Sequence, residues 1–183
     1  MDGFGAFDDQ KTWEFYTLEY PGYGSRAGSP SQESLVAAAQ QALDKLQEND
    51  ARPVFLMGES LGSGVASLLA GKNPKKVAGI FLITPFSSVA DVAASRFPVF
   101  PVRWILKDRF DSKQALKDYS GPVAILLAGR DSVVPARFGQ QLFESYRGPK
   151  RKWMQPKADH NTLDLSPSAS WWREVSKFLL QNR

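Results

Sequence analysis

The sequence predicts an α/β fold: a mostly parallel sheet of about five strands, covered by helices on both faces. Short apolar runs alternate with helical patterns along the chain, which is the order a parallel sheet with helical crossovers requires. Turn residues close the runs, as in Pro21-Gly22, Gly58 and Gly129. The chain has 183 residues, of which 43% are apolar and 12% aromatic, enough to bury the core of one domain.

The expected strands are Phe15 to Tyr20, Pro53 to Met57, Val77 to Thr84, Val123 to Ala128 and Lys152 to Gln155. Ser29-Pro30-Ser31-Gln32 reads as a helix start, with Ser29 as N-cap, proline at the first helical position and Gln32 completing a capping box. That helix is expected to run to about Glu48. Leu61 to Ala70, rich in small and apolar residues, reads as a helix packed beneath a site. Ala136 to Tyr146 and Ser170 to Leu180 complete the helices, the last with Trp171, Trp172, Val175, Phe178 and Leu179 on one face. Without a repeat or linker signal, residues 1–183 read as a single domain, with 85–120 inserted as a short helical lid.

Composition excludes several kinds of chemistry. No cysteine is present, so disulfides, thiolate metal sites and a cysteine nucleophile are ruled out, and one histidine cannot build a multi-histidine zinc centre. The 23 Lys and Arg against 19 Asp and Glu are spread over several segments, and no nucleic-acid partner is expected. The tightest basic cluster, Arg147, Lys150, Arg151, Lys152 and Lys157, reads either as a solvated loop before a strand or as a surface for a membrane or an acidic substrate. The start, Met1-Asp2-Gly3-Phe4-Gly5, lacks a charged segment leading into an apolar core, and no apolar run approaches the ~20 residues of a bilayer span. A soluble, cytoplasmic chain without stable membrane insertion is the expectation.

Gly58-Glu59-Ser60-Leu61-Gly62 matches G-x-S-x-G directly after the strand Val54-Phe55-Leu56-Met57 and directly before a helix. In that setting the two glycines are expected to relieve crowding around a sharp turn that lifts the Ser60 hydroxyl above the sheet. The other reading is a serine that caps the helix. At a helix N-terminus, exposed N–H groups favour a developing oxyanion, so the N–H of Leu61 is the first candidate donor. A serine hydroxyl needs a base, and His160, in Ala158-Asp159-His160-Asn161, is the only imidazole. The orienting carboxylate is expected after Val123 to Ala128, in Gly129-Arg130-Asp131-Ser132-Val133-Val134-Pro135, as Asp131. Asp159 and Asp164 compete for that role, and Asp131 also reads as a cap for the helix entering at Val134-Pro135. The chain order is Ser, Asp, His.

Together with Glu19-Tyr20-Pro21-Gly22-Tyr23-Gly24, these motifs resemble those of the α/β-hydrolase superfamily over nearly the whole chain. The spacing is most similar to a branch of small, short-lidded esterases and deacylases that includes protein depalmitoylases. The resemblance implies a three-layer α/β-hydrolase-type sheet and hydrolysis of carboxyl esters or thioesters without cofactor or metal. Two departures stand out. Asp159 occupies a position where relatives commonly have glycine, and its charge is expected to raise the imidazole pKa. In the family three strands precede the loop supplying the second oxyanion N–H, and the third lies between the strands matching Phe15-Tyr20 and Pro53-Met57. Here Asp2-Gly3-Phe4-Gly5 resembles that loop, with Phe4 or Gly5 as donor, and nothing precedes it.

Three explanations follow: a fragment, a first strand moved beside the second, or a second chain supplying the cover. The reduced sheet leaves an apolar face, from which homo-oligomerisation is expected. In the lid, Phe86, Phe97, Phe100, Val102, Trp104 and Ile105 are apolar, and Phe86, Phe97, Phe100 and Trp104 are candidate acyl-binding residues. The expected activity is hydrolysis of short to medium acyl esters through an acyl-enzyme. Thioester hydrolysis with the same triad, or a catalytically impaired binding module, are the alternatives.

Overall fold

Val54–Glu59, Val77–Ile83, Val123–Ala128 and Lys150–Gln155 form strands β1 to β4 of one sheet, ordered β1-β2-β3-β4 with every neighbouring pair parallel. The structure is a computed structural model and describes residues 13–48, 50–97 and 106–183. Helices α1 (Gln32–Glu48), α2 (Leu61–Lys72), α3 (Val89–Arg96), α4 (Ser112–Ala115), α5 (Ala136–Ser145) and α6 (Trp171–Gln181) accompany the strands. A 3₁₀ turn over Leu116–Asp118 follows α4. No described helix is long and apolar enough to cross a membrane.

β2 and β3 read as unbroken apolar runs because both their faces are covered. Alternate side chains go to opposite layers. Ile80, Leu82, Ile125 and Leu127 join the cluster made with Leu35, Val36 and Leu43 of α1, Val65 and Leu69 of α2, and Phe138 and Leu142 of α5. Phe81, Ile83, Ala124 and Leu126 face the other way, onto Trp171, Trp172, Val175 and Leu179 of α6. The aromatic stripe of α6 is therefore core, with Phe81 at 5.6 Å from each indole.

The expected strand over Phe15 to Tyr20 is not a strand. Only its second half alternates: Leu18 and Tyr20 are half-buried against the larger cluster with Thr17 and Glu19 exposed, while Phe15 and Tyr16 are both exposed. Side chains tie the segment down: Trp13 packs on Phe55 with centroids 5.2 Å apart, and Glu14 receives Arg52 at 2.7 Å. Period-two patterning reports which side chains turn inward; it does not report a hydrogen-bonded neighbour. The described sheet consequently has four strands, and this segment has not moved into the ladder beside β1.

The start of α1 also differs from expectation. Ser31, not Ser29, caps it: the Ser34 N–H donates to Ser31 Oγ at 3.1 Å and the Ser31 N–H to Ser34 Oγ at 2.9 Å, a reciprocal capping box two residues later. Gln32 is thereby free to reach the far segment, its Oε1 accepting from the Phe110 N–H at 2.6 Å. The basic cluster is largely absorbed into the fold. Lys150 donates to the carbonyls of Phe143 in the last turn of α5 and of Tyr146 just beyond it, Arg151 pairs with Glu174 of α6, and Lys152 meets Gln140 of α5.

Gly71 shows how tightly α2 meets α4. An alanine normally favours a helix interior over glycine by about 1 kcal/mol. Here its Cβ would fall 2.0 Å from the backbone oxygen of Ala115, which no side-chain rotation can relieve. Gly71→Ala is expected to destabilise the chain by about 1–3 kcal/mol net, read as a lower urea midpoint at unchanged m-value.

Candidate active site

Ser60 sits between the last residue of β1 and the first of α2, at φ 50° and ψ −119°. A non-glycine residue in this region costs about 1–3 kcal/mol and persists only where its surroundings hold it. The Ser60 N–H donates to the Ile83 carbonyl at the end of β2 at 3.0 Å, and the Ser60 carbonyl accepts from Ser63 N–H at 2.9 Å and Ser63 Oγ at 2.6 Å. Gly58 makes room, since a Cβ there would lie 2.2 Å from the Gly62 oxygen. Gly62 does not share that role, because among the described residues nothing comes within 4 Å of a Cβ placed on it. The Ser60 hydroxyl makes no capping bond to α2. It lies 3.0 Å from His160 Nε2 instead.

His160 follows β4 and is 7% exposed. Its Nδ1 lies 2.8 Å from Asp131 Oδ2, whose side chain is 1% exposed. The other carboxylate oxygen accepts from the N–H groups of Val133 at 2.9 Å and Val134 at 2.6 Å. One oxygen of Asp131 builds the turn into α5 and the other faces the imidazole. An ionised carboxylate only accepts, so the proton of neutral His160 belongs on Nδ1, leaving Nε2 to accept from Ser60.

The acid and base turns leave adjacent parallel strands, and backbone ties hold them together. Gly129 N–H donates to the Gln155 carbonyl and Arg130 N–H to that of Ala158, each at 2.9 Å. A Cβ on Gly129 would stand 2.5 Å from the Pro156 oxygen, so the approach needs glycine.

Neither competing acid bonds to the imidazole. Asp164 turns to Ser166, and the Asp159 carboxylate accepts from Ser132 and from the His160 main chain. These donors, the Ser132 N–H foremost, hold the Asp159 carboxyl below its ordinary range. The Asp159 carboxylate thus bonds to Ser132 and to the main chain of the His160 turn.

Leu61 opens α2, so its N–H belongs to the first helical turn, where no intrahelical acceptor exists. Phe4, Phe100 and Trp104 lie outside the described residues. Phe86 departs from the expected open wall: it is 3% exposed and packs in the core, with its Cζ 2.9 Å from where a Cβ on Gly64 would be. Phe97, just after α3, is 55% exposed. Sequence reasoning missed Arg96, at the end of α3, which donates to the carbonyls of Ser132 and Val133 and fastens the acid turn to the inserted segment. An arginine in a helix's last turn carries no signal for a partner this distant in the chain. Among the described residues, no group of three or more His, Cys, Asp or Glu is placed to hold a metal ion.

A family model described as Hydrolase_4, serine aminopeptidase, S33, matches residues 4–117, more than half of the chain. An uncharacterized protein of Mycobacterium tuberculosis is 33% identical over 167 residues, covering 90% of this chain and 59% of that protein. A lysophosphatidylserine lipase of Macaca fascicularis is 30% identical over 157 residues, covering 75% of this chain and 38% of the relative. The chain therefore spans well under two thirds of the length of these relatives. Among solved structures, Est1E from Butyrivibrio proteoclasticus with bound ferulic acid superposes with a TM-score of 0.72 at 15% identity, covering 90% of this chain and 75% of that one. That likeness concerns the fold. With the family model matching across β1, the Ser60 turn and β2, the chain belongs to the α/β-hydrolase superfamily.

Proposed function

We propose that this chain is a serine hydrolase that cleaves carboxylic esters through an acyl-enzyme. The observation that carries the reading is the unbroken line from Ser60 Oγ to His160 Nε2 at 3.0 Å and from His160 Nδ1 to Asp131 Oδ2 at 2.8 Å. A base within hydrogen-bond reach of the nucleophile, itself oriented by a buried carboxylate, is what activation of a serine requires.

Ser60 Oγ attacks the ester carbonyl carbon while His160 Nε2 takes the hydroxyl proton. Asp131 holds the ring and stabilises the imidazolium. The carbonyl oxygen becomes an oxyanion facing the Leu61 N–H, and the sequence motif Asp2-Gly3-Phe4-Gly5 nominates the N–H of Phe4 as second donor. Each such donor contributes roughly 3 kcal/mol to the transition state. Collapse expels the alcohol, which leaves with the proton from His160. A water then attacks the acyl carbon and gives a proton to Nε2, which passes it to Ser60 Oγ as the carboxylic acid departs.

Phe97, Phe100 and Trp104 of the inserted segment are assigned to a small acyl-binding wall, which favours short to medium acyl chains. An ester specificity agrees with the lipase among the relatives, whereas the family description names an aminopeptidase.

A fluorophosphonate probe is expected to label the wild type and not Ser60→Ala, and p-nitrophenyl acetate to butyrate are expected to turn over faster than longer esters. Absence of labelling overturns the hydrolase reading. Faster cleavage of an aminoacyl p-nitroanilide than of any ester overturns the ester preference. Asp131→Asn keeps the size of the side chain but offers the wrong hydrogen-bonding partner to Nδ1, so kcat is expected to fall by about 10⁴ with little change in stability.

A further inference from the structure

Asp159 is a half-buried acid in a turn, and its hydrogen bonds are unusually directed. One oxygen accepts from the Ser132 N–H at 2.7 Å, from Ser132 Oγ at 2.9 Å and from the His160 N–H at 2.7 Å. The second accepts from Ser132 Oγ at 2.8 Å. Every donor thus belongs either to the residue after Asp131 or to His160 itself. The turn that presents the carboxylate is closed by its own bonds: Asp159 N–H donates to Thr162 Oγ1 at 2.8 Å and Thr162 N–H to the Asp159 carbonyl at 3.0 Å.

We propose that Asp159 is a positioning residue whose carboxylate clasps the Asp131 turn to the His160 turn and sets the distance between that carboxylate and the imidazole. The backbone bond from Arg130 to Ala158 joins the two turns on the strand side of the pair. Beyond it, the Asp159 carboxylate spans the turns again at residues 132 and 160. The Ser132 peptide is gripped on two sides, its N–H by Asp159 and its carbonyl by Arg96. Charge-assisted bonds to N–H groups are the strong class, and main-chain donors have no rotamers to lose, so the clasp is stiffer than a surface ion pair. Its kinetic consequence rests on the proposed hydrolase chemistry. Its geometric consequence does not.

His160 is the only histidine, so the Nδ1 proton shared with Asp131 gives a single assignable imidazole resonance far downfield in the proton NMR spectrum. Asp159→Ala is expected to broaden or abolish that resonance and to lower kcat for p-nitrophenyl acetate about 10- to 100-fold, with KM within about twofold, as displacement of one reacting group predicts. Asp159→Asn retains an acceptor for both N–H groups and is expected to restore the resonance and most of kcat. Ser132→Ala, which removes only the hydroxyl contacts, is expected to lower kcat by about threefold, and to have no further effect in the Asp159→Ala background.

An unchanged resonance and kcat in Asp159→Ala overturns the clasp. So does an asparagine variant as impaired as alanine, which assigns the effect to charge instead of hydrogen bonding. If Asp159→Ala fails to fold, the asparagine and Ser132→Ala variants decide alone: an asparagine variant that loses the resonance, or a Ser132→Ala variant with kcat at the wild-type level, overturns the proposal. A wild type that shows the resonance but no Ser60-dependent turnover removes the hydrolase reading and leaves the resonance to judge the clasp.

Discussion

The site depends on one constrained turn, in which Ser60 is held at φ 50° where a parallel strand passes directly into a helix. Such a backbone relaxes unless it is held from several directions, and the holding contacts here come from β1, β2 and the first turn of α2. Ile83 at the end of β2 receives the Ser60 N–H, the Ser63 hydroxyl and N–H bind the Ser60 carbonyl, and the bare Cα of Gly58 lets the Gly62 carbonyl close over the strand. With its backbone satisfied in this way, the serine does not spend its hydroxyl on capping α2. That hydroxyl is left facing an imidazole.

The second half of the site follows from how parallel strands end. β3 and β4 are paired in register from Val123 with Lys150 to Ala128 with Gln155, so their exits emerge side by side at the same edge as the serine turn. Side-by-side exits would still leave an acid and a base in independent loops. The close approach at Gly129, the split carboxylate of Asp131 and the contacts of Asp159 and Arg96 with Ser132 join them into one body. Burial makes that rigidity matter. A carboxylate almost removed from water is costly unless its oxygens are filled, and Val133, Val134 and His160 fill those of Asp131.

The two faces of the sheet support this arrangement unequally. α1, α2 and α5 pack a continuous aliphatic layer beneath the serine turn, whereas α6 alone among the described helices covers the other face, with its paired indoles against Phe81. Stiffness is thus concentrated where α2 enters the site. Gly64 beneath Phe86 and Gly71 against Ala115 mark how closely α2 is packed into its neighbours.

Sequence by itself determined the elements whose information is local. The alternation of apolar runs and helices, the serine between a strand and a helix, and the order Ser60, Asp131, His160 were all readable, because periodicity and turn chemistry are written in neighbouring residues. What the sequence misread were matters of partnership. Phe15 to Tyr20 has the apolar residues of a strand, yet a ladder needs a backbone alongside, which the segment's own residues do not encode. Gly62 was read as a steric need and Phe86 as a pocket wall. Tertiary contacts decided both, by leaving Gly62 open and burying Phe86 over Gly64. Arg96 and Ser132, far from each other in the chain, had no readable signal at all, since a hydrogen bond between them exists only once the sheet has brought their loops to the same edge.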